Sequence, residues 1–64
     1  MTLVTGKNLA NSDKIYQQLL ELHNGLSESE SAKLNARLIL ILLNHIGDEQ
    51  VIEQAFNTAS SFQE

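Results

Sequence analysis

Cysteine and proline are both absent from this 64-residue chain, and its aromatic residues are two phenylalanines and one tyrosine. Without cysteine, neither a disulfide framework nor a thiolate-bound metal can brace the fold. The core falls instead to leucine, isoleucine and alanine. A chain of this length holds at most one domain, and below roughly 70–80 residues such a core rarely supplies more than a few kcal/mol. Self-association is an obvious way for so small a chain to gain stability.

Long apolar runs are missing as well. The longest is Leu38–Leu43, far short of the about 20 residues that span a bilayer. Met1 to Asn11 contains no apolar stretch leading to a small-residue cleavage site, so the expected compartment is the cytoplasm. Positive charge is scarce, and the formal net charge is -4. In residues 1–26, Lys7 and Lys14 cancel Asp13 and Glu21. Beyond them, Lys33 and Arg37 stand against Glu28, Glu30, Asp48, Glu49, Glu53 and Glu64. An acidic second half repels phosphate backbones, which argues against nucleic acid as a partner. No basic polar face flanks an apolar one, so binding to a membrane surface is not expected either. The plainest role of the charge is to maintain solubility.

What is present reads as an all-α fold: a short three-helix bundle, or a helical hairpin plus a third helix. Residues 1–11 form a flexible leader in which Leu3, Val4 and Leu9 could pack onto a neighbour, and residues 12–64 form one three-helix domain. The first helix is predicted over Asp13 to His23, capped by Ser12 or Asn11. Ile15, Leu19, Leu22 and Leu26 recur at the spacing of one helical side, and Tyr16 and Leu20 widen that stripe. Gly25 supplies a left-handed stop. Ser27 and Glu30 make a capping box, from which a second helix runs to Ile46 and ends at Gly47. Leu38–Leu43 alone would fit a buried strand, but the capping box and the repeats Leu34/Leu38 and Leu38/Leu42 favour helix. Asp48 caps a third helix, with Glu49 in its first turn where the dipole favours a carboxylate. Its expected inward stripe is Ile52, Ala55, Phe56, Ala59 and Phe62.

The second helix is apolar around most of its circumference. Lys33, Arg37 and Asn44 gather on one narrow side with Glu30 beside them. Leu34, Leu38, Ile41 and Leu42 fill a wide arc that Ile39, Leu43 and Ile46 extend, and Leu40 nearly closes the circle. A surface helix needs only one apolar face. The first and third helices cover part of this arc, and the remainder is expected to face another copy in a symmetric dimer. The competing arrangement is a monomer whose leader folds back over the second helix. Asn35 falls inside the arc, between the directions of Leu42 and Ile46. It reads either as a buried amide bonded to backbone or solvent, or as an amide that fixes register across an interface. Arg37 could bridge to a carboxylate or a helix end, or remain solvated.

Signs of catalysis are lacking. Ser27, Ser29, Ser31, Ser60 and Ser61 occupy cap or surface positions, none paired with both an imidazole and an orienting acid. Gly6, Gly25 and Gly47 are isolated and form no phosphate-cradling loop. In an antiparallel hairpin His23 lies at the start of the second helix and His45 near its end, separated by some 27 Å of helix rise, too far to share a metal within one chain. His45, Asp48 and Glu49 form the one local cluster, but its spacing matches no zinc motif, and Asp48 already has a capping role. Helices two and three are too apolar and too acidic, respectively, to read a major groove. No catalytic residue, cofactor or metal is expected.

The segment Gly25–Asp48, GLSESESAKLNARLILILLNHIGD, resembles a small bacterial protein family of unknown function. The likeness rests on GLS at Gly25–Ser27, SAKLNARL at Ser31–Leu38 and NHIGD at Asn44–Asp48, with Tyr16–Leu22 similar to the preceding helix. It covers most of residues 13–59. The resemblance implies a short, stand-alone helical protein whose gene often lies near oxidoreductases of small-molecule catabolism. It carries over no catalytic residue. The expected function is that of a non-catalytic accessory or protein-interaction module, homodimeric and associated with a larger metabolic enzyme. The alternative is a metabolic regulator that binds a small molecule between subunits. Asn35, Arg37, Leu40, Leu43, Asn44 and His45 are the candidate interface or ligand contacts.

Overall fold

The computed structural model describes residues 2–61 and contains three helices: α1 (Ser12–His23), α2 (Glu28–Ile46) and α3 (Glu49–Ser60). Every described residue outside them lies in a turn, bend or irregular segment, so the fold is all-α.

Each helix begins where a polar side chain takes up free backbone N–H groups. At α1 the cap is Asn11, whose Oδ1 accepts from the Lys14 N–H at 3.1 Å, and Ser12 is already helical. At α2 the capping box is complete. The Glu30 N–H donates to the Ser27 hydroxyl at 3.2 Å, and the Ser27 N–H donates to Glu30 Oε1 at 3.0 Å. At α3 one Asp48 carboxylate oxygen accepts from both Gln50 and Val51. Two glycines stop the first two helices with positive φ, Gly25 at 82° and Gly47 at 68°, a conformation that costs other L-residues about 1–2 kcal/mol.

Packing is concentrated where α2 meets α3. Among the described residues Val51 is the one buried hydrophobic side chain, at 5% exposure. Leu43 and Ile46 on α2 and Ile52 and Ala55 on α3 are half-buried. The inward side of α3 therefore differs from the expected stripe. Phe56 is 53% exposed, Ala59 is exposed, and Phe62 lies outside the described residues. The reason is the tight joint: α3 starts directly after Gly47 and Asp48, so only its first turns lie against α2, and its azimuth favours position 51. The leader also departs from its alternative reading. The Leu3 N–H donates to Gln54 Oε1 at 3.2 Å, so the leader reaches α3 and does not fold over α2. Leu3 is half-buried while Val4 and Leu9 are exposed.

The resulting shape is open. Its radius of gyration is 13.5 Å, against about 11 Å for a compact domain of this length. Its surface is 5824 Å², whereas a folded monomer of this mass exposes on the order of 4,100 Å².

Candidate functional site

The open side of the molecule is the space between α1 and α2. The stripe Ile15, Leu19 and Leu22 forms one wall and Leu38 and Leu42 on α2 form the other, with Gln18 and Glu21 completing the lining. The cleft holds about 660 Å³. Its apolar character follows from helical spacing, since side chains three and four positions apart rise on the same face. Ile15, Leu19, Leu22 and Leu42 are all exposed, and Leu38 is half-buried. A smaller cleft beside it is mixed, with Leu22, Leu26 and Leu34 next to Glu30, Lys33 and Arg37.

The hairpin is pinned at one point by His23. Its Nδ1–H donates to the Leu19 carbonyl at 2.8 Å, and its Nε2 meets Asn35 Oδ1 at 2.7 Å. With oxygen facing both ring nitrogens, the doubly protonated form is favoured. The His23 pKa is accordingly raised above the ordinary 6.5, chiefly by the Leu19 carbonyl and next by Asn35. At the start of α2, Glu30 is held below its ordinary value by the Ser27 N–H and then by the Ser27 hydroxyl.

This geometry changes the reading of Asn35, which is an exposed amide bonded to a side chain of α1. Its bond also places His23 beside the second turn of α2, not at its start, leaving about 15 Å of helix rise from Asn35 to His45. Leu40 is 65% exposed, Leu43 is half-buried, and Arg37, Asn44 and His45 are exposed. The expected contacts do not form one cluster. At 100° per residue, Arg37 lies about 200° around the helix from Asn35. Among the described residues no group of three or more His, Cys, Asp or Glu is placed to hold a metal. No helix of the described residues is long and apolar enough to cross a membrane.

Two features escaped the sequence reading. The Ile15–Leu19–Leu22 stripe was legible as a helix face, but not as a cleft wall opposite Leu38 and Leu42. The His23–Asn35 bond carries no local signal, because its partners are twelve residues apart.

Residues 3–61 match the family described as "Protein of unknown function (DUF2783)". The chain belongs to this family. DUF2783 membership covers all three helices and the segment between Gly25 and Asp48, and it brings no assigned activity. No curated protein and no solved structure matches the chain.

Proposed function

We propose that this DUF2783 member is a non-catalytic helical accessory module that acts in the cytoplasm by binding protein, both as a homodimer and against a larger metabolic enzyme. The observation that carries this reading is the exposed apolar wall along α1 and α2, in a chain among whose described residues Val51 is the one buried hydrophobic side chain. Continuous apolar surface of this kind marks interaction sites. Chemistry lacks comparable support, because the cleft holds a glutamine and a glutamate but no nucleophile paired with a base. Leu40 and Phe56 lie outside the cleft, at 65% and 53% exposure, and provide further apolar surface for a larger partner.

Affinity purification of the intact chain from its native host, followed by mass spectrometry, tests the accessory role. One enzyme should be enriched in stoichiometric amount and should rebind when both proteins are purified. A double Leu40→Asp, Phe56→Asp variant should lose it. Failure of any protein to rebind would remove the accessory role.

A second reading draws on the cleft volume. About 660 Å³ falls within the roughly 300–1,000 Å³ of small-ligand pockets, which supports a metabolic regulator with a site completed between subunits. Against it, the cleft of the single chain is open along its length and has few converging polar groups. A metabolite that raises the melting temperature at constant protein concentration would favour this alternative.

A further inference from the structure

We infer that the occupant of the α1–α2 cleft is the same cleft face of a second copy, giving a two-fold symmetric four-helix core. This rests on the self-associating part of the proposed function and assigns it a face.

The chain exposes 5824 Å², about 1,700 Å² more than a compact monomer of its mass. Obligate homodimers bury about 1,000–2,500 Å² per subunit, so one such interface accounts for the excess. The irregular leader contributes part of that excess, and the exposed Ile15, Leu19, Leu22 and Leu42 of the cleft walls contribute apolar surface to the remainder. The cleft face is also self-complementary. A two-fold interface presents one patch to itself. Here the patch consists of two helical stripes, Ile15–Leu19–Leu22 and Leu38–Leu42, with a groove between them. Each stripe is a ridge of the kind that packs into such a groove. Charge permits the contact. Each copy carries -4, yet among the described residues Glu21 is the one charged residue lining the cleft. Two acidic chains can therefore meet there with little like-charge contact. A face whose burial underlies the fold must be covered whenever the protein exists, and another copy is present wherever the chain is made.

Sedimentation equilibrium of the full chain at micromolar concentration should give twice 7.1 kDa, with a thermal midpoint that rises with concentration. Leu19→Asp and Leu42→Asp should weaken association at least tenfold, whereas Leu40→Asp, about 160° around α2 from Leu42, should leave it intact. Should the first two variants fail to fold, wild-type mixing answers the same question. A nitroxide on Gln18→Cys should broaden amide signals of Ile15–Leu22 and Leu38–Leu42 in a ¹⁵N-labelled wild-type copy that carries no nitroxide. A concentration-independent single copy would overturn the inference. A dimer whose broadening maps elsewhere, or one broken by Leu40→Asp alone, would overturn the assigned face. A single copy that still rebinds its enzyme would sink this inference and leave the accessory role standing. A dimer that captures no enzyme would do the reverse.

Discussion

Two polar contacts dominate the chemistry of individual residues. The hydroxyl of Ser27 closes the capping box, and Ser27→Ala should cost about 1 kcal/mol, measured as a lower urea midpoint at fixed chain concentration. Glu30, the other half of the box, has a depressed pKa. Its contribution is therefore present above the ordinary 4.5 and is lost as pH falls through the lower folded value. Ser27→Ala should flatten that acid limb of the urea series. His23 has the opposite sign. Its raised pKa makes the pin fully effective below the ordinary 6.5, and the contribution fades as pH climbs through the higher folded value. Imidazole titration by NMR should place His23 above 6.5 in the wild type. Asn35→Ala should lower it part of the way, because the Leu19 carbonyl, the larger cause, remains. A wild-type His23 titrating at or below the ordinary value would contradict the two-sided bond.

At the scale of elements, the corner between α2 and α3 is the best-buried contact. Val51→Ala should destabilise the chain by about 1.5 kcal/mol, while Phe56→Ala should be nearly neutral in dilute solution; matched urea melts check both. The contrast shows what local sequence carries and what it omits. Asn11, Ser27, Glu30, Gly47 and Asp48 act on atoms within four residues of themselves, so helix type and limits were legible from spacing alone. The start of α1 moved by one residue because Asn11 and Ser12 are both competent caps, and the backbone selects between them. Which side of α3 turns inward depends on its azimuth against α2, set by the Gly47–Asp48 joint, so Val51 was overlooked in favour of Phe56. The same limit hid His23–Asn35. The wheel of α2 set Asn35 inside the apolar arc but could not show that it stays exposed and meets an imidazole from α1.

At the scale of the whole molecule, an apolar α2 foretold surplus surface, and the radius of 13.5 Å expresses that surplus as an open hairpin. The candidate contacts were less legible, because a helical wheel ranks directions without showing what stands opposite each one. Leu43 is half-buried outside the cleft, whereas Leu38 and Leu42 line it. The uneven shielding also sets how the chain trades its amide hydrogens for deuterium. Asp48 and Val51 anchor one corner, so in dilute solution the slowest exchange should fall between Leu43 and Val51. Twelve-residue α1, too short to be more than marginal alone, should exchange almost as fast as a free peptide. Raising the concentration should slow α1 selectively, bringing the two ends of the molecule toward a common opening reaction.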